Sequence, residues 1–469
     1  MVIEQMIEAA IGEFKENLTF FCTEQAETAL TAQSAAVITQ GVQKALKATG
    51  KAAFCAFLQA KEQTKAMVVM NGETFGFKYD SAKTFEGLWG RMSIRRRVYQ
   101  NAADDKSYVP LDAAWGMQNE GMTIEVREAL AFSCAHVTPE ETHQLLTKTA
   151  VFRPHPTQIK RAVERIGRHI SQNYEGWDKR IRANEQVPQN THSLVASMDG
   201  VNVLLNEKAA QRGRPKQRPG TQNSKQASTA YKNAMVGSIS LYGATTPEQK
   251  RPPRLVCRYN SHMPEYGGAT FKAKFEAELD AVEAKCAPGV TKVMLCDGAT
   301  QIWSYVEQHE RYADYETLVD YYHSAEHLAL ASQALFGDGT DEAKRWYDKY
   351  AERLLEDDSG PDSILHSIAY YCKTTKLSPS RAKKARTQYI YFKRNKPKMR
   401  YAEFRRRGLP IGSGPVEAAC KTLVKTRLGR SGMRWSRKGG QNILALRTYV
   451  KSDRWDEMWN QYKQMKSAA

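Results

Sequence analysis

Two apolar runs in this chain end in the same dipeptide. Ser193-Leu-Val-Ala-Ser-Met-Asp-Gly and Thr291-Lys-Val-Met-Leu-Cys-Asp-Gly are both built of strand-forming residues up to an acid followed by glycine. The second run reads as a strand buried in a sheet, with its acid at the sheet edge. An acid in that position must be paired, hydrogen-bonded or metal-bound, or it destabilises the fold. The two runs therefore demand a covered sheet and partners for Asp199 and Asp297.

The surrounding pattern gives the sheet its other members. Residues 193–205 read as strand, turn, strand, with Gly200 making room beside Asp199. Ala234–Tyr242 and Arg254–Tyr259 add two strands, and Phe271–Cys286 is an amphipathic helix. After the strand at Thr291, a helix starts near Gln301, and Tyr315–Asp320 is a further short strand. The order β-β-β-α-β-α-β is that of a ribonuclease-H-like fold lacking its final helix. Residues 328–408 are helical and increasingly basic, and the next well-marked helix starts at Pro415.

The N-terminal part is built differently. Residues 1–64 read as helices, with apolar positions at Met6, Ile7, Ala10, Ile11 and Phe14. Asn71-Gly72 marks a hairpin, and residues 80–118 look like a small β-rich connector. Thr138-Pro-Glu-Glu is a capping box that starts one helix, and Pro156 opens another after Phe152-Arg-Pro-His-Pro. The pair matches a helix-turn-helix, with Gln158, Lys160, Arg161 and Arg165 as candidate DNA contacts; an ordinary helical hairpin with a solvated basic face fits equally. Residues 207–232 form a loop holding Arg212-Gly-Arg214-Pro, a weak AT-hook-like core suited to a minor groove.

Charge is concentrated. Residues 373–438 carry 21 Lys and Arg against two acids, Glu403 and Glu417, a net of +19 in a chain of net +18. The other 403 residues thus sum to about −1, so the basic character is one local patch, which points to a polyanion such as nucleic acid. No apolar run reaches the roughly 18 residues of a membrane helix, and the acidic, amphipathic start is unlike a signal peptide. Eight scattered cysteines with no Cys-x-x-Cys pair suit reduced thiols of a cytosolic protein and argue against a cysteine zinc site.

Glu417 lies inside that patch, in Leu409-Pro-Ile-Gly-Ser-Gly-Pro-Val-Glu-Ala-Ala-Cys-Lys. Taken singly, Asp199 and Asp297 also read as turn residues and Glu417 as a helix-capping acid. Together, two acids on neighbouring strands and a third on a helix can hold two divalent ions about 4 Å apart. Carboxylate-rich sites select Mg²⁺ or Mn²⁺. A second cluster, Asp320-Tyr-Tyr-His323-Ser-Ala-Glu326-His327, matches an inverted zinc-peptidase string but lacks a third ligand; support of the acids is the better reading.

These motifs, with Ser431-Gly-Met-Arg-Trp-Ser downstream, resemble bacterial insertion-sequence transposases of the DDE type, in particular the ISKra-type group. The likeness spans about residues 120–455. It implies an α/β ribonuclease-H-like catalytic core with an all-helical insertion, preceded by mainly helical N-terminal DNA-binding domains. Asp199, Asp297 and Glu417 would then be the catalytic and metal-binding triad for two Mg²⁺ (or Mn²⁺), with Asp320 and His323 as active-site support. Relatives often carry a zinc ribbon before a Pro-Leu-Asp motif; Arg97–Asp112 keeps the flanks without cysteines, so no zinc is expected there.

The resulting layout has six parts. Residues 1–118 form the N-terminal helical region with its β connector, 119–185 the helix-turn-helix, and 186–330 the first part of the core. Residues 331–408 are the basic insertion, 409–455 the final core helices and 456–469 a tail. DNA contacts would come from Lys160, Arg161, Arg165, Arg212, Arg214, Arg405, Arg406, Arg407, Lys421, Lys425, Arg427, Arg430 and Arg434. Trp435 would stack on a splayed base or sit in the core. The resemblance implies a cytoplasmic, nucleoid-associated enzyme that oligomerises on paired element ends, cleaves DNA and transfers a 3′-hydroxyl to target DNA. The alternatives are a plain nuclease without strand transfer and a transposase-derived DNA-binding protein. A zinc peptidase on His323, Glu326 and His327 is a third.

Overall fold

The computed structural model describes residues 2–149, 152–207, 231–246, 249 and 251–468. It separates into two compact units, Met1–Trp177 with Trp455–Ala469, and Asp178–Arg454. Among the described residues no helix is long and apolar enough to cross a membrane.

The first unit opens with helices Val2–Gln25 and Ala32–Gln59 packed on each other. The second helix starts at a reciprocal cap in which Ser34 N donates to Thr31 Oγ1 (3.1 Å) and Thr31 N to Ser34 Oγ (2.8 Å). An antiparallel sheet follows, β1 (Met67–Met70), β2 (Glu73–Gly87), β3 (Gly90–Gln100) and β4 (Ser107–Tyr108), in that spatial order. Asn71 and Gly72 turn the first hairpin with φ of +50° and +80°, the left-handed pair that a two-residue turn requires. Leu58, Phe85, Met92, Ile94, Leu111 and Met117 form the core beneath the sheet.

Helices Ile124–His136, Pro139–Thr149 and Pro156–Asn184 come next. The cap at Thr138 forms as its sequence predicts, with Glu141 N donating to Thr138 Oγ1 (3.1 Å) and Thr138 N to Glu141 Oε2 (2.8 Å). Residues 456–469 are not a tail. Helix Trp455–Ala468 places Trp455, Trp459 and Tyr462 at i, i+4 and i+7, and buries all three. There the buried Arg127 pairs with Glu120 at 3.3 Å and donates to the Tyr462 hydroxyl at 3.3 Å.

The second unit is built on a five-stranded sheet of β5 (Thr191–Leu204), β6 (Tyr231–Gly243), β7 (Arg254–His262), β8 (Thr291–Cys296) and β9 (Glu316–Val319). Its spatial order is β7-β6-β5-β8-β9. The first three strands pair antiparallel, while β8 and β9 join β5 in parallel. Parallel strands need long crossovers, supplied here by helices Ala269–Glu283 and Thr300–Gln308. Residues 193–205 do not turn at Asp199-Gly200. Both residues stay in the ladder, opposite Val236 and Met235, because β6 is long enough to pair β5 along its whole length.

Five helices, from Tyr321–Phe336 to Tyr401–Arg406, then pack on one another, and their apolar residues merge with the sheet core. The chain finally returns to the sheet. Helix Gly414–Ala419 packs on β5 and β6, a π-helical turn spans Cys420–Lys425, and helix Arg437–Lys451 lies on β7. Buried Arg447 donates to the Leu423 carbonyl (2.6 Å) and to that of Thr422, which satisfies carbonyls of the π turn.

Candidate active site

Parallel register lines up three acids. Ala196 pairs with Met294, so continuing three residues along both strands (196 to 199, 294 to 297) brings Asp199 beside Asp297. Cys296 pairs with Val319, so the next residues, Asp297 and Asp320, are neighbours too. Adjacent strands lie about 4.8 Å apart. The row is thus Asp199, Asp297, Asp320 across β5, β8 and β9.

The three differ in what surrounds their oxygens. Asp320 is buried and caps helix Tyr321–Phe336. Its Oδ1 accepts His323 N at 2.7 Å and its Oδ2 accepts Ser413 N. Asp297 Oδ1 accepts only the local Ala299 N at 3.0 Å. Asp199 Oδ1 accepts Gly200 N at 2.6 Å, and its Oδ2 accepts the Cys420 thiol at 3.3 Å. Among the described residues, neither Asp199 nor Asp297 has a Lys or Arg ion-pair partner. Burial pushes the Asp297 carboxyl above its ordinary value, and the charges of Asp199 and Asp320 add to that, against the Ala299 amide. Burial and the Asp199 charge push the Cys420 thiol up as well, so it stays protonated and able to donate.

Two side chains of the helical insertion shape the turn after Asp297. Arg394 donates to the Gly298 carbonyl (2.7 Å) and to Thr300 Oγ1 (2.6 Å). The Tyr391 ring leaves no space for a side chain at residue 298, since a Cβ there would lie 2.5 Å from it. Tyr391 also stacks on His327, ring centroids 3.5 Å apart, and His327 Nδ1 sits 2.6 Å from Gln388 Oε1. His323 and His327 share a helix face as their spacing predicts, at 4.8 Å between centroids. Burial lowers the pKa of His327. Among the described residues no group of three His, Cys, Asp or Glu side chains is placed to hold a metal ion, so a zinc-peptidase site at His323, Glu326 and His327 gains no third ligand.

Glu417 stands on helix Gly414–Ala419, three residues before Cys420 and hence on nearly the same face. It is exposed, and its Oε1 accepts the Ser413 hydroxyl at 2.9 Å. Ser413 therefore joins two acids, giving its amide to Asp320 and its hydroxyl to Glu417. Asp199 and Asp297 line a cavity of about 1120 Å³ with Lys232, Lys272, Tyr266 and Arg437; Glu417 is not in that lining. The two aspartates suit a divalent cation, being adjacent, partly exposed and without a cationic partner. Glu417 does not complete the group in this arrangement.

The basic candidates divide. Lys160, Arg161, Lys421, Lys425 and Arg434 are exposed. Arg165 instead pairs with Glu120 (2.6 Å) and donates to the Asn119 carbonyl (3.0 Å), and Gln158 accepts the His155 amide (3.0 Å) as a helix cap. Arg405, Arg406 and Arg407 pair with acids distant in sequence, Arg405 with Glu356, Arg406 with Asp358 (2.7 Å) and Arg407 with Glu316 (2.5 Å), and Arg407 also pairs with the nearby Glu403 (2.9 Å). Arg427 is buried, its guanidinium 5.3 Å from the Trp435 ring centre, and Arg430 Nε donates to the Thr426 carbonyl at 3.0 Å. Trp435 is half-buried. Its indole donates to the Leu428 carbonyl (3.0 Å) and its backbone bridges Leu204 and Asn206, so it braces the end of β5. Arg212 and Arg214 lie outside the described residues.

Sequence reasoning missed Ser413, Cys420, Tyr391 and Arg394. For Cys420 a signal existed in its i+3 spacing from Glu417; for Tyr391 and Arg394 none did, since their contacts lie almost 100 residues away. No protein-family model and no curated protein matches this chain.

Proposed function

We propose that the chain is a DNA transposase of the DDE type, with a ribonuclease-H-like core in its second unit, that cleaves DNA at element ends and transfers the 3′-hydroxyl to target DNA. The observation that carries the reading is the adjacency of Asp199 and Asp297, at the ends of the parallel pairing of β5 and β8, in one cavity and with no Lys or Arg ion-pair partner among the described residues. The strand order β7-β6-β5-β8-β9, with an antiparallel meander and two parallel additions, agrees with that fold.

Asp199 and Asp297 would hold divalent ions, and Glu417 would join them by turning from Ser413. Mg²⁺ or Mn²⁺, when bound, supplies an activated water or 3′-hydroxyl and stabilises the leaving oxygen. The chain's own groups prepare the site. Cys420 fixes one Asp199 oxygen by donating a hydrogen bond. Asp320 accepts the Ser413 amide and so fixes the residue that leads into helix Gly414–Ala419, which carries Glu417. Burial holds the Asp297 carboxyl above its ordinary value, and a cation held there would favour its ionised form. Exposed Lys421, Lys425 and Arg434 would neutralise DNA phosphates.

The test is Mg²⁺-dependent cleavage and joining of DNA bearing the sequences that flank the gene. The wild type should cut and join, and Glu417→Gln should bind the same DNA without cutting. Cutting without joining would favour a plain nuclease; binding without Mg²⁺-dependent cutting would favour a regulator.

A further inference from the structure

We infer that the cavity holding Asp199 and Asp297 contains a subsite for an unstacked nucleobase, with Tyr266 as its stacking platform. This rests on the DNA-cleaving reading of the same cavity and adds the form of DNA that it takes.

Tyr266 is fully exposed, the most exposed of the large hydrophobic side chains among the described residues, and it lines the same cavity as both aspartates. A bare aromatic ring normally belongs to a loose loop, but this loop is fastened on both sides. Before it, Arg437 donates to the Pro264 carbonyl and pairs with Glu207 at 2.6 Å. Glu265 accepts the Phe271 amide at 3.0 Å, which ties the loop to the start of helix Ala269–Glu283. After it, Gly267 and Gly268 take φ of +72° and +67°, a left-handed pair that other residues rarely adopt, and they turn the chain sharply into that helix.

The ring thus stands out from a loop tied at Pro264 and Glu265, and it is left open to solvent among the described residues. A planar aromatic partner is the ligand that such a ring accepts, and each nucleobase offers a π face whatever its sequence. The cavity, about 1120 Å³, exceeds the upper end of small-molecule pockets, about 1,000 Å³, and has room for more than a phosphate and its ions. Lys232, Lys272 and Arg437 in the same lining suit the connecting phosphates. Within a duplex both faces of a base are covered, so the base that reaches Tyr266 must be flipped, flapped or terminal.

The probe is a forked DNA carrying 2-aminopurine in its unpaired arm, mixed with the full-length chain in Ca²⁺ so that binding is read without cutting. The wild type should quench the fluorophore and bind the fork more tightly than the matching duplex. Tyr266→Ala should abolish the quenching and weaken fork binding about tenfold, with duplex binding unchanged, whereas Tyr266→Phe and Tyr266→Trp should retain both. Equal quenching and affinity in Tyr266→Ala would overturn the subsite while leaving the DNA reading intact. Failure of the wild type to bind either DNA would overturn both.

Discussion

Asp297 and Asp320 end neighbouring parallel strands, in register, after runs of apolar residues, and a local reading treats them alike. Their surroundings differ. Asp320 has both oxygens taken by backbone amides and sits at a helix N-terminus, where the dipole favours its charge. Asp297 has one local amide, two acidic neighbours and a raised pKa. An acid satisfied by the fold is structural, while an acid left in deficit is reserved for a ligand. On the proposed reading, Asp320 holds Ser413 ahead of the helix that carries Glu417, while Asp297, together with Asp199, whose oxygens take one adjacent amide and a thiol, would hold a cation.

The largest effects should fall on the open pair. Asp199→Asn and Asp297→Asn should each lower Mg²⁺-dependent DNA cleavage at least about 10³-fold, some 4 kcal/mol of transition-state stabilisation, with DNA affinity kept. Gel assays of cutting and binding on the same substrate check this. Asp320→Asn should act on the fold instead. It replaces one accepting oxygen with an NH₂ donor that must face a backbone amide, of Ser413 or of His323, and should cost about 1–3 kcal/mol in urea unfolding. If it left stability unchanged, the distinction between the two acids would fail.

A smaller effect concerns pH. Because the Asp297 pKa is raised on folding, the folded chain holds that proton more tightly than the unfolded one. Its contribution is full below the ordinary carboxylate value and is lost as pH rises through the raised value. Metal-free protein should therefore lose stability over that interval, and Asp297→Asn should flatten the decline and raise the melting temperature at neutral pH. The smallest effect separates the two halves of the basic stretch. Lys421→Ala or Lys425→Ala should each reduce the slope of log affinity against log salt by about 0.9. Arg405→Ala and Arg406→Ala, whose partners already neutralise them, should change it less.

Much of this was legible in the chain. Apolar runs, the Asn71-Gly72 turn and the Thr138 cap are local signals, and each appears where its residues predict. The acids were legible as strand-associated, but not their inequality, which depends on amides brought from Ser413, 93 residues beyond Asp320. Asp199-Gly200 read as a turn because the dipeptide is turn-forming, whereas the β6 ladder keeps it extended. Arg405, Arg406 and Arg407 read as DNA contacts because Glu356, Asp358 and Glu316, which pair with them, are 48 to 91 residues away. For Trp435 the sequence left base stacking and core burial open, because its contact with Leu204 spans more than 200 residues.

The most direct test of the contrast is a Mn²⁺ titration followed by electron paramagnetic resonance, with DNA present, on the wild type, Asp297→Asn and Asp320→Asn. The account predicts protein-bound Mn²⁺ in the wild type, its loss in Asp297→Asn, and its retention in folded Asp320→Asn. Mn²⁺ binding that survives Asp297→Asn unchanged, or that disappears only with Asp320→Asn, would contradict it.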